Sequence, residues 1–113
     1  MPVSPQYLDY LLDMLATMGA VQSKRMFGGA GLFKDATMFG LIVDDVLYLK
    51  ADGQTQGNFE DRGMGPFSYK KKSRKEPVRL SYFETPPDVI EESDDLRAWS
   101  RNAWEAARRA AAK

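Results

Sequence analysis

Apolar residues open the chain at a helical period. Leu8, Leu11, Leu12, Leu15 and Met18 recur at i, i+3, i+4, i+7 and i+10, the stripe of an amphipathic helix. Ser4 is placed to cap it, Pro5 suits the first helical position, and Gly19 suits the stop. The spacing therefore predicts a helix over 4–18. From Met26 to Lys50 the pattern becomes rich in Gly, aromatic and β-branched residues. It predicts three strands, at 25–33, Thr37–Val43 and Val46–Lys50, with turns at Lys34-Asp35-Ala36 and Asp44-Asp45. Strict alternation sets Phe39, Leu41 and Val43 on one face of the second strand and Met38, Gly40 and Ile42 on the other. Both faces are apolar, which predicts a central place in the sheet.

The stretch 52–62 is more polar, with Phe59 as its anchor. It predicts a short helix across 53–61 with Asp52 as a cap, followed by a loop at 63–66. A second hairpin follows. Phe67 and Tyr69 alternate on the way in, and Val78, Leu80 and Tyr82 on the way out. Pro86-Pro87 then breaks the sheet. The last segment reads as a helix capped by Ser93, with Asp94 and Asp95 at its positive end. Its stripe runs through Leu96, Trp99, Ala103, Ala107 and Ala110, with Trp104 on a flank and Arg108, Arg109 and Lys113 at its end. The element order is α-β-β-β-α-β-β-α. Hairpin-length links make an antiparallel sheet of about five strands under N- and C-terminal helices the simplest packing. This is an α+β, two-layer sandwich, forming a single domain over 1–113.

Composition narrows the chemistry. The 113 residues contain neither Cys nor His. That rules out a disulfide scaffold, and it removes the usual zinc, haem and Cys/His nucleophile chemistries. No metal and no cofactor is expected. No apolar run approaches the ~20 residues of a membrane span. The N-terminus shows no secretory pattern, so cytoplasmic location is the default. The 16 Lys+Arg balance the 16 Asp+Glu, which argues against a general nucleic-acid coat.

Segment by segment the balance is far from even. Residues 70–79 hold Lys70, Lys71, Lys72, Arg74, Lys75 and Arg79 against Glu76, a local charge of +5. Glu84, Asp88, Glu91, Glu92, Asp94 and Asp95 follow with no basic residue between 84 and 95, a charge of −6. The basic tip is the first candidate contact site, for a protein partner or for the phosphates of a nucleic acid. Its bland reading is a solvated tip that discourages edge pairing. Trp104, off the helix stripe, is the second: an interface anchor or a cover for the sheet edge. A homodimer through a strand edge or the helix face around Trp104 is left open. The run Gly28-Gly29-Ala30-Gly31 lacks the Lys-Ser/Thr of a phosphate loop and leads into a strand, so it predicts a bulge or a close backbone approach. Asp44-Asp45 reads as a hairpin turn, and the acidic tract as solvated loop and helix N-terminus. No nucleophile–base pair is visible, and Ser73 lies on the tip, a poor place to exclude water.

The order of short motifs resembles one family. Lys24-Arg25-Met26-Phe27-Gly28-Gly29-Ala30-Gly31-Leu32-Phe33 is similar to the opening motif of the TfoX N-terminal domain family. The likeness continues through Met38–Lys50, Pro66–Tyr69 and 81–89, and ends in the helix around Leu96–Trp99. The resemblance implies a two-layer α/β domain with an antiparallel sheet and a non-enzymatic role. That role is linked to regulators of natural competence that act with the cyclic-AMP receptor protein at promoters. It implies no catalytic residues, and Arg25, Met26, Phe27, Gly28 and Gly29 are expected to be structural. A transcription-related protein partner is expected.

Overall fold

The computed structural model describes residues 4–26, 29–69 and 78–112. Helix α1 runs over Pro5–Met14, with the Ser4 hydroxyl accepting from the Tyr7 amide at 3.2 Å and Pro5 in the first turn. It stops four residues before the apolar stripe does. Leu15 leads into a 3-10 turn at Ala16–Met18, and Gly19 follows at φ 121°.

Among the described residues six strands follow: β1 Val21–Met26, β2 Gly29–Lys34, β3 Thr37–Val43, β4 Val46–Lys50, β5 Pro66–Tyr69 and β6 Val78–Glu84. They form one antiparallel sheet in the order β1-β2-β3-β4-β6-β5. The expected strand at 25–33 is in fact the end of β1 and most of β2, paired as a hairpin from Val21↔Lys34 to Met26↔Gly29. Gln22, Ser23, Lys24 and Arg25 are exposed on this edge strand. An edge carries little apolar alternation and is guarded by charge, so its sequence gives a weak strand signal.

Short helices α2 Gln56–Glu60 and α3 Pro87–Glu91 flank β5 and β6, and α4 spans Ser93–Ala111. Pro87, expected only to end the sheet, also opens α3. The cap of α4 is Glu92, one residue before the expected Ser93, with its carboxylate accepting from the Asp94 amide at 3.4 Å.

Leu11, Leu15 and Met18 meet Ala30, Leu32, Phe39, Ile42, Leu47 and Leu49 in one core, joined by Phe59, Phe83, Val89, Leu96 and Ala103. Among the described residues, all four α-helices thus contribute to one core against the sheet. In β4 the alternation is clean: Leu47 and Leu49 are buried, while Val46, Tyr48 and Lys50 are half-buried on the opposite face. In β3 it is broken. Leu32 pairs with Gly40, yet Phe33 pairs with Met38, so Phe39 is an extra residue in β3. Such a bulge lets two successive side chains share a face. Phe39 therefore joins Ile42 in the core and parts from Leu41, which corrects the strict-alternation reading.

Both hairpin turns around β3 have two central residues at positive φ: Asp35 and Ala36 at 50° and 63°, Asp44 and Asp45 at 53° and 58°. This is the backbone that fits the right-handed twist of the strands. Asp tolerates it, whereas Ala does so at a cost of about 1 kcal/mol. Ala36→Gly is expected to stabilise the domain by roughly 0.5–1 kcal/mol, read as a higher urea midpoint with an unchanged slope.

Candidate functional site

The strands give the domain two chemically different ends. One end carries the Asp44-Asp45 turn, Glu84 at the close of β6, then α3 and the start of α4 with Asp88, Glu91, Glu92, Asp94 and Asp95. Arg62 and Arg97 offset part of this charge through ion pairs, to Asp88 at 2.8 Å and to Asp94. At the other end lie Lys34, Lys50 and the finish of α4 with Arg108 and Arg109, where Asp35 pairs with Lys34 at 3.2 Å and Asp52 with Arg109 at 2.6 Å. Tyr69 and Val78, the residues that bracket segment 70–77, are paired at this same end. The six steps from Val78 to Glu84 span about 20 Å. The neutral total therefore conceals a polarity along the strand direction.

Lys70, Lys71, Lys72, Arg74 and Lys75, the predicted contact residues, lie outside the described residues. Trp104 is half-buried at the basic end. Its indole N–H donates to the Lys34 carbonyl at 3.0 Å. The Lys34 ammonium stands 3.9 Å from a ring centroid of Trp104, and the Arg108 guanidinium stands 4.9 Å away. Cations near an indole face are attracted by its quadrupole. Trp104 thus ties α4 to the end of β2 and gathers two positive charges.

Asp52 and Arg109 close the neighbouring corner. Arg109 Nε donates to Asp52 Oδ2 at 2.6 Å and its Nη2 to Oδ1 at 3.2 Å. Asp52 Oδ1 also accepts from the Gln54 amide at 3.0 Å. The Arg109 hydrogen bond is the main cause that holds the Asp52 carboxyl at about 2, below its ordinary 3.8. A depressed carboxyl adds stability that is present above its ordinary value and lost as pH falls through about 2. Asp52→Asn is expected to lower stability near neutrality by roughly 1 kcal/mol, since solvent screens a pair this exposed. The difference from the parent should fade as pH falls from 4 towards 2 in an acid-unfolding series (range set by the shift of Asp52). A gap that persisted at pH 2 would place the effect elsewhere.

Lys50 is the residue that sequence reasoning overlooked. It sits at the end of an apolar strand, where its period-2 position predicts the half-buried environment it has. Its ammonium donates to the Ser81 hydroxyl and lies 5.5 Å from the Tyr82 ring. Burial pushes its pKa down, only partly opposed by Asp52. Among the described residues, no carboxylate forms an ion pair with it, and no group of His, Cys, Asp and Glu is arranged to hold a metal ion. No helix among them is long and apolar enough to cross a membrane.

A family model for the TfoX N-terminal domain matches residues 13–107. The chain belongs to the TfoX N-terminal domain family. A relative, the DNA transformation protein TfoX1 of Aliivibrio fischeri (strain ATCC 700601 / ES114), is 36% identical over 76 residues. The match covers 67% of this chain and 35% of that relative. This TfoX N-terminal domain therefore spans about a third of the length of the relative. The family match takes in both hairpins, the bulge in β3, Lys50 and Trp104.

Proposed function

We propose that this TfoX N-terminal domain is a non-enzymatic regulatory domain that works in transcription or competence through a protein partner. Membership of the family carries the reading, and the name of the relative, a DNA transformation protein, agrees with it. The contacts are assigned to Lys70, Lys71, Lys72, Arg74 and Lys75 of the basic segment, and to Trp104. Positive charge gathered at one end favours fast, oriented encounter with an acidic surface.

Capture from a lysate of the native host tests this, with Lys70, Lys71 and Lys72 changed to Glu as the comparison. The expected result is a transcription-related partner that is lost on charge reversal. An unchanged set of captured proteins would remove the tip from the site. The local +5 charge of residues 70–79 also supports a second reading, direct nucleic-acid binding by the same tip. Titration of duplex and single strands at two salt concentrations separates the two. Micromolar binding with a steep salt slope supports phosphate contacts, and no binding at low salt ends that reading.

A further inference from the structure

A groove of about 420 Å³ opens at the basic end, between the finish of α4 and the ends of β3, β4 and β6. Thr37, Met38, Lys50, Tyr82, Ala107 and Ala110 line it. Ala36, at the rim, is held at φ 63°. Its size suits a few side chains of a ligand, and its walls combine an apolar surface with a single cation.

Lys50 is what makes this groove more than a surface dent. The ammonium is half-buried, and its near neighbours are a hydroxyl and a ring. Asp52 is the acid close enough to act on it, and Arg109 clasps that carboxylate from the other side. A cation partly removed from water, with Asp52 already engaged by Arg109, is costly to the free domain. An arriving carboxylate recovers that cost and adds a charge-assisted hydrogen bond. Two features select the kind of carboxylate. Ala107, Ala110 and Met38 offer contact to an apolar neighbour of the acid. The C-terminal end of α4, where backbone carbonyls gather, disfavours a bare anion but accepts N–H donors. A peptide brings all three: an acid, an apolar side chain and main-chain N–H groups.

We propose that this groove receives an acidic residue flanked by apolar ones from a segment of a partner protein, with Lys50 as the carboxylate contact. The proposal rests on the protein-partner reading above and names the chemistry of that partner's docking segment.

The test is an amide-resolved NMR titration of the whole chain with acetyl-Glu-Leu-Glu-Leu-Glu-amide. Hexanoate, inorganic phosphate and an oligo-dT strand are run separately. The expected result is saturable shifts at the amides of Lys50, Tyr82, Ala107 and Ala110, with the pentapeptide binding more tightly than hexanoate or phosphate. Lys50→Met keeps the apolar stem and should weaken the peptide by about tenfold, the scale of one charge-assisted contact. Ala110→Gln, at an exposed position that narrows the groove, should weaken it as well. No shifts up to about 5 mM peptide, in the range of the weakest specific binding, would overturn the proposal. Equal binding by Lys50→Met would do the same. Hexanoate binding as tightly as the peptide would make the groove a small-molecule pocket. Tighter binding of oligo-dT at the same amides would make it a nucleic-acid site. Either result overturns the assignment. Peptide binding that survives in the Lys70, Lys71 and Lys72 to Glu variant separates the groove from the tip, so the two readings fail independently.

Discussion

Gly29→Ala is expected to destabilise the domain by about 3 kcal/mol or more. A methyl group there would stand 1.9 Å from the Ile42 carbonyl oxygen and 3.0 Å from its carbon, with Val43 Cα at 3.3 Å. These are backbone atoms of the neighbouring strand, so no side chain can swing away. Strand β2 must shift from β3, and the pair Ala30↔Ile42 beside it carries two buried core residues. The expected reading is a fall in melting temperature on the order of 10–20 °C. Gly57→Ala is the matched contrast. It lies in α2, and a methyl group there meets nothing within 4 Å. A helical glycine replaced without a clash should stabilise by roughly 0.5–1 kcal/mol. Equal effects from the two substitutions would show that backbone approach at Gly29 is not what limits the residue.

Phe39→Ala is expected to cost about 3–5 kcal/mol, the range for removing a fully buried ring. The ring is inaccessible to solvent and packs in the core with Leu11, Leu32 and Ile42. Its neighbour Met38 is half-buried, and Met38→Ala should cost about 1 kcal/mol, within the usual range for partly exposed positions. The ratio of the two losses, from urea unfolding of both variants, reads the bulge directly. Similar losses would mean that both side chains reach the core equally, against the geometry of β3.

Elements with strong local signals were legible in the sequence. Ser4 and Pro5 start α1 as expected, the Asp44-Asp45 turn stands where the sequence predicts it, the turn expected at Lys34-Asp35-Ala36 narrows to Asp35-Ala36 with Lys34 still in β2, and Gly29 is the close approach that the glycine run suggested. What escaped depends on tertiary context. The edge strand β1 is polar because its outer side has no strand to pair with. Phe39 changed face because a bulge shifts register, and no periodicity carries that information. Lys50 closes a predicted strand at a half-buried position, but only the arrival of α4, more than forty residues later, turns its surroundings into a groove. Trp104 was visible as an odd residue, while its tie to the Lys34 carbonyl arises only once α4 and β2 are packed together.

The strand order has a consequence for how the domain folds. Strands β1 to β4 pair with their chain neighbours across two residues of sequence each, so each pairing closes a small loop and forms early. The β4–β6 pairing joins Lys50 to Tyr82 and must close a loop of about thirty residues, at a larger entropic cost. The last ladder to assemble is therefore β4 with β6, and it is also the first to open under mild denaturant. Hydrogen exchange should find the slowest amides in β3 and faster ones in β6, although both lie inside the same sheet.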